Sequence, residues 1–379
     1  MSRPSVIIIG AGVVGCTVAY ELAKAGARVQ VLETRAPGQG ATRASAGILA
    51  PFIEGHGSAV LRDLGTRSLD LYDGFITRLR EDLGVPAEGE LARDIPYQRT
   101  GTFEMAMSDE EAERLGTLSS ALSRLGVEST WVDPAAFAEV EPNASRAARG
   151  ALLIPTHGYV GVTALTLAAM DAARKLYARF KSETGAIRVS TLPNGRVAVK
   201  TSRATWEADR VVLAAGSWSS HITVEGADTV PVKPIRGQLL QLQAAPGAMT
   251  RVVWGPGGYL VPWVNGSVLV GSTVEDVGFD ESHTDEAVTR LRDMAVSLVP
   301  SLAAAPTSEV RTGLRPKGPD DVPMLGPSRV IPGLIYATAH YRNGVLFVPL
   351  TAQLVTDLVF DRAADPALEH LKPSRFGNL

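Results

Sequence analysis

The chain has 379 residues, 45% of them hydrophobic, and a formal net charge of −3 with acids and bases mixed along its length. That size supports two domains with a large core, and the charge balance offers neither a basic stripe for nucleic acid nor a polybasic run for an anionic membrane. One cysteine, Cys16, excludes disulfide scaffolds and cysteine-based zinc sites within the chain. The histidines (His56, His157, His221, His283, His340, His370) include no pair at the spacing of a helical metal site, so no metal is expected.

Val6–Ile9 is a continuous apolar run, the pattern of a parallel strand buried on both faces. Val14, Val18, Leu22 and Ala25 recur at helical spacing, Gly26 stops that helix, and Arg28–Leu32 forms a second strand that ends at Glu33. The apolar stretch 6–23 is interrupted by Gly10, Gly12 and Gly15 and preceded only by Arg3. It therefore reads as strand, turn and helix rather than signal peptide or membrane span, and a cytoplasmic protein is expected. Helical patterns recur at about 58–83, 108–125, 161–180, 284–299 and 345–360. Strand-like runs occupy 101–107, 151–154, 187–190, 196–200, 211–215, 237–243, 252–254, 258–262, 268–271 and 334–338. The block 187–215 reads as a meander turned by Pro193-Asn194-Gly195.

Gly10-Ala11-Gly12-Val13-Val14-Gly15 follows the first strand and opens the first helix. Gly10 permits a tight turn, Gly12 lets the backbone approach a pyrophosphate, and Gly15 allows close contact of helix and strand. The free N–H groups at Val13 and Val14 then face the phosphates, while Glu33, followed by Thr34, accepts hydrogen bonds from a ribose. NAD and FAD both use this fingerprint. The segment Gly40–Leu49, with Ala41, Thr42, Ala46, Gly47 and Ile48, is rich in small and hydroxyl residues. Such a loop can press its backbone against a flat ring, which favours FAD; standing alone it reads equally as a flexible surface loop.

Further motifs lie downstream. In the run from Arg210 to Ser219, Val211–Ala215 reads as a buried strand, and Gly216 before Ser217-Trp218-Ser219 frees the backbone beside a cofactor. Arg315, in Gly313-Leu314-Arg315-Pro316, is expected in a turn after a strand, where a guanidinium can grip a carboxylate through two parallel hydrogen bonds. Asp321, Pro323 and Leu325-Gly326 follow, then Ala339-His340-Tyr341-Arg342-Asn343-Gly344. Asn343 is expected to cap a helix that begins at Gly344 with Val345 and Leu346, although Pro349 would kink it.

With these motifs the chain resembles, over nearly its whole length, the D-amino-acid-oxidase-like FAD oxidoreductases, and within them the glycine oxidases of the thiamin thiazole pathway. The resemblance implies an α/β fold: an FAD-binding Rossmann-like domain of glutathione-reductase type (1–87, 146–221, 311–379) interleaved with a mainly antiparallel β substrate domain with flanking helices (88–145, 222–310). It assigns the substrate carboxylate to Arg315 and Tyr259, lets Arg342 touch substrate or brace the flavin loop, and places a helix N-terminus at the flavin, with His340 beside the ring. It has no cysteine where some relatives attach flavin, so the FAD should be non-covalent.

The implied activity is oxidation of a C–N bond in glycine or an N-substituted glycine. The products would be glyoxylate, an amine or ammonia, and hydrogen peroxide, with molecular oxygen as partner substrate. A dehydrogenase with another acceptor, or an enzyme of D-amino acids or sarcosine, stays open, as does a homo-oligomer. Relatives carry a polar side chain two residues before the substrate Tyr. Here Gly257 stands there, and either opens room for an N-linked tail or merely serves a turn.

Overall fold

The computed structural model describes residues 3–54, 57–84 and 95–379. β1 (Ser5–Ile9), α1 (Val13–Lys24) and β2 (Arg28–Leu32) form the expected βαβ unit, with β1 and β2 parallel and Ile8 opposite Val31. A six-stranded sheet grows around them in the order Met324–Pro327, Leu334–Thr338, Arg210–Leu213, β1, β2, Arg179–Lys181; only its first pair is antiparallel. Both faces are covered, as a parallel sheet requires. α1 and the helices Ala59–Leu83, Val162–Lys175 and Val348–Val359 pack on one side, and the meander Ala186–Thr191, Val197–Thr201, Thr205–Ala208 on the other.

An eight-stranded sheet runs Thr307–Lys317, Lys233–Gln243, Ser267–Gly271, Gly258–Pro262, Val252–Gly255, Thr102–Ala106, Gly150–Ile154, Thr130–Val132, antiparallel except where Val252–Gly255 meets Thr102–Ala106. Helix Asp285–Leu298 buries Leu291, Ala295 and Leu298 against one face. The other face carries Tyr259, Val261, Val252 and Trp254 toward the first domain's loops. Local signals set the helix ends: the Ser58, Ser108 and Thr284 hydroxyls accept N–H bonds three residues on, and Gly84 closes its helix in a left-handed conformation.

Several expectations need correction. The helix expected over 161–180 stops at Lys175, because Tyr177 turns left-handed and the Ala178 N–H reaches back to the Ala173 carbonyl; residues 179–181 then join β2. Arg210–Leu213 leaves the meander for the parallel sheet. Arg315 lies within the strand Thr307–Lys317, not in a turn after one; Pro316 is tolerated because that strand is the sheet's edge.

Asn343 caps no helix. A short 3-10 turn, Tyr341–Asn343, continues through further turns to the α-helix Val348–Val359, whose N-cap is Phe347. Pro349 then falls in the first turn, where its missing N–H costs no helical bond. Sheet membership places Gly150–Ile154 and the whole of Thr307–Lys317 in the eight-stranded sheet, across the boundaries drawn at 146 and 311. The boundary at 87/88 and His56 lie outside the described residues. No helix among the described residues is long and apolar enough to cross a membrane.

Candidate active site

The loops at the carboxyl ends of β1, β2 and Arg210–Leu213 open onto one large cleft, whose far wall is the eight-stranded sheet. Crevices outside the carboxyl ends of parallel strands are where open α/β sheets bind ligands. The cleft encloses about 440 Å³.

Its floor is the glycine turn. Gly10 holds φ +106°, and a Cβ there would lie 2.4 Å from the Ala214 carbonyl oxygen. A Cβ on Gly15 would lie 2.0 Å from the Gly10 carbonyl oxygen, so helix and turn touch backbone to backbone. Gly12 precedes α1, and the Val13 N–H donates to the Thr42 hydroxyl at 3.0 Å, which ties the small-residue loop to the helix N-terminus. Glu33 ends β2 half-buried; its carboxylate accepts the N–H groups of Ala11 at 2.7 Å and Arg35 at 2.9 Å. Cys16 is buried behind this turn, where burial pushes its thiol well above the ordinary range and leaves it unreactive.

The segment expected to cover a flat ring is anchored at both ends. Ile48–Leu49 pairs with Gly158–Tyr159, and Gly47 fits only because it has no side chain: a Cβ would lie 1.9 Å from the Val160 carbonyl oxygen. Gly313 presses against the same loop, with Ala44 Cβ 2.7 Å from where its own Cβ would be. Across the cleft, Ala339 and Tyr341 both adopt positive φ (+58° and +46°), a conformation costly for side-chain-bearing residues that clusters at functional sites. His340 is buried between them, its Nε2 3.0 Å from the Thr351 hydroxyl; burial lowers its pKa to about 4, so the ring is neutral near pH 7.

The opposite wall comes from the eight-stranded sheet. Tyr259 is 7% exposed, packed on Trp254, and sits across from Gly271, where any Cβ would lie 2.5 Å from its hydroxyl oxygen. Arg315 reaches the same place from the edge strand. Its Nη2 donates to the Ser272 hydroxyl at 2.6 Å and its Nη1 to the Thr273 carbonyl at 3.0 Å. Among the described residues no carboxylate pairs with it. At the mouth, Arg35 forms a two-pronged bond to Glu281 (3.0 and 2.6 Å) and lies over Trp218, while Phe279 packs on Trp218 and His221.

The cleft thus collects Gly10, Gly12, Val13, Val14, Glu33, Thr34, Ala41, Thr42, Ala46, Gly47, Ile48, Ala215, Gly216, His340, Tyr341, Arg342, Gly344 and Val345 with Tyr259 and Arg315. Four expected residues are not on its lining. Gly15 acts from behind the turn; Asn343 and Leu346 are buried beneath the Tyr341 loop. Gly257 is the third residue of the turn Gly255-Pro256-Gly257-Gly258, with φ +86°, and a Cβ on it would face Met294. That glycine serves a type II turn and opens no space in the cleft. Sequence reading gives Trp218 no role although it quotes it in a motif, and it misses Ser272, just past a strand end, and Gly237, although a lone glycine inside an apolar strand does signal a close approach.

A family model described as FAD dependent oxidoreductase (DAO) matches residues 5–358. The chain belongs to this DAO family. It is therefore an FAD-dependent oxidoreductase, and the glycine turn, the Thr42-tied helix N-terminus and Glu33 fit that cofactor. Among DAO-family relatives, glycine oxidase from Geobacillus kaustophilus is 32% identical over 359 residues, 94% of this chain and 93% of the relative. A crystal structure of glycine oxidase from that species superposes with a TM-score of 0.92 at 30% identity, covering 99% of each chain. The bifunctional protein ThiO/ThiG of a Nostoc species is 31% identical over 98% of this chain, which spans only 55% of that longer protein. An iminodiacetate oxidase from a Chelativorans species shares 26% identity with a TM-score of 0.86, over 97% of this chain and 98% of that one. These relatives support oxidation of glycine-type substrates.

Proposed function

We propose that the enzyme oxidises glycine or an N-substituted glycine, R–NH–CH2–COOH, with water and dioxygen to glyoxylate, the released amine or ammonia, and hydrogen peroxide. The observation that carries this reading is Arg315: a partly buried guanidinium at the cleft, held by neutral oxygens and paired with no carboxylate among the described residues. A cation held without a counter-charge awaits one from the ligand, and a substrate carboxylate fits its fork.

The glycine turn, the N-terminus of α1 tied to Thr42, and Glu33 would hold FAD without a covalent bond, and the bound cofactor would supply the two-electron chemistry between substrate and dioxygen. Everything else falls to the chain. Arg315 binds the carboxylate and Tyr259 closes over it, which fixes the Cα–H direction. Trp254 and Val261 pack in one apolar cluster with Tyr259, which keeps water from behind it. In this reading the amine arrives unprotonated; His340, neutral by burial, is engaged with Thr351 and is not its base. N-substituted glycines enter through the likeness to iminodiacetate oxidase, not through Gly257. A cytoplasmic site of action is part of the same reading.

The test is an anaerobic screen of amino acids and N-alkyl glycines against the yellow holoenzyme, followed by peroxide assay in air. Bleaching by glycine, sarcosine or a longer homologue, with peroxide on re-aeration, supports the proposal. Bleaching without peroxide shifts it to a dehydrogenase, and bleaching only by bulky D-amino acids contradicts the substrate class.

A further inference from the structure

Arg315 stands on an edge strand, and its long side chain must present a fixed fork. Two features of the neighbouring strands constrain it. The first is Gly237, on the strand Lys233–Gln243, where Ile235 is opposite Arg315 and Gly237 opposite Gly313. A Cβ on Gly237 would lie 2.3 Å from both Nη atoms of Arg315, so the guanidinium lies flat across a strand that is bare at that point. The second is the segment after Ser267–Gly271: the Ser272 hydroxyl and the Thr273 carbonyl take one hydrogen bond from each Nη nitrogen, at 2.6 and 3.0 Å. Ser272 itself lines the cleft.

That segment is in turn pinned from the sheet's opposite face. Successive side chains alternate faces, so Arg236 and Gln238 point away from Gly237. Arg236 is buried and bonds Glu275 through Nε at 3.0 Å and Nη2 at 2.5 Å, and Asp280 through Nη1 at 2.5 Å. Gln238 adds a bond to Glu275 at 2.9 Å, and its N–H donates to the Thr273 hydroxyl at 2.9 Å. Glu275 and Asp280, which follow Thr273 in the chain, are thus committed to Arg236, while Ser272 and Thr273 are held against Arg315.

We propose that Ser272 is a positioning residue for the carboxylate anchor, and that Gly237 is the gap that lets it work: together they fix the plane of the Arg315 guanidinium. This rests on the reading of Arg315 given above. Ser272 does not touch the reacting atoms; it takes one donor of Nη2 and leaves the outward N–H groups as a fork. Loss of its hydroxyl frees the guanidinium to swing, which weakens carboxylate binding more than it slows the chemical step once substrate is bound.

The experiment uses FAD-loaded holoenzyme and two readouts: the Kd of glycolate, a carboxylate without an amine, from perturbation of the flavin spectrum, and the separate KM and kcat for glycine and sarcosine. Ser272→Ala should raise the glycolate Kd and the KM by roughly three- to tenfold with kcat near the parent, the range for the net loss of one ordinary hydrogen bond. Ser272→Thr, which keeps the hydroxyl, should recover most of the loss, a rescue that a merely structural residue would not show. Gly237→Ala should do at least as much damage as Ser272→Ala; if it does not load FAD, the Ser272 pair decides alone. Arg315→Ala is the reference. If it weakens glycolate while Ser272→Ala leaves Kd and KM unchanged, the positioning role is wrong and the anchor stands. If Arg315→Ala itself leaves glycolate binding intact, the anchor is wrong and the positioning role falls with it.

Discussion

At the nucleotide end of the cleft the working residues, Gly10 to Glu33, lie within one βαβ unit, and their geometry follows from local rules: a strand, a tight turn, a helix, a second strand. At the end proposed for the substrate, Arg315, Tyr259, Gly237 and Ser272 come from four separate stretches in or beside the eight-stranded sheet and meet only through its register. The first region is built from backbone N–H groups and missing side chains. The second is built from long side chains that need neighbours to hold them. Damage to the first should therefore cost the cofactor, and damage to the second should cost substrate while the cofactor stays.

The sharpest way to break that contrast is at Gly10. Its Cβ would strike the Ala214 carbonyl, and its φ of +106° is foreign to other residues. Gly10→Val should abolish FAD binding and destabilise the fold by about 2–5 kcal/mol, from strain and overpacking. The ratio of flavin to protein absorbance and a denaturant melt measure both.

The next largest effect concerns pH at the loop that joins the two regions. Burial holds His340 neutral in the folded state with a pKa of about 4, below its unfolded value. Between these values the unfolded chain binds the extra proton, so this contribution is complete above the unfolded pKa. It is lost as pH falls from about 6.5 to 4, by at most about 3 kcal/mol. Unfolding of the parent and His340→Asn at pH 7.5 and 4.5 should show a smaller pH difference in the variant.

Smaller is the cost of Tyr72→Phe. Pro349 cannot donate to the Val345 carbonyl, and the Tyr72 hydroxyl does so instead at 2.5 Å; the Ser68 hydroxyl likewise serves Leu346 at 2.7 Å. Loss of the Tyr72 hydroxyl should destabilise by about 1–2 kcal/mol, read from denaturant midpoints, with FAD still bound. The smallest is Glu281→Gln at the cleft mouth. The Arg35–Glu281 pair is partly exposed, and its loss should cost no more than about 1 kcal/mol of stability. A measurably faster FAD dissociation would show that this bond also closes the cleft over the cofactor.

The same contrast decides what the sequence reveals. Gly10, Gly12, Gly15 and Glu33 are legible because one strand, one turn and one helix fix their relative places. Arg315 and Tyr259 are legible as residues but not as a pair, since nothing in their spacing states that both lie beside Gly271 and Ser272. The strand Thr307–Lys317 escapes detection because Gly313 and Pro316 carry turn signals, yet both are there for sheet reasons: Gly313 makes room for Ala44, and Pro316 sits on an edge. Gly257 misleads in the opposite way. It looks like a missing pocket side chain and is instead the residue a Pro256-Gly257 turn demands. Asn343 looks like a cap because it precedes an apolar helical pattern, but Pro349 sets the regular helix to begin later, at Val348.

The central claim is that Arg315 holds the substrate carboxylate in a cleft whose cofactor it does not hold. It is tested by the rate of anaerobic flavin reduction by glycine and by sarcosine in the parent and in Arg315→Ala, each with its FAD content measured. The account predicts full FAD in the variant and a loss of about 2–4 kcal/mol in second-order reduction, the scale for truncating one partner of a buried charge pair. An FAD-loaded Arg315→Ala enzyme reduced as readily as the parent would contradict it.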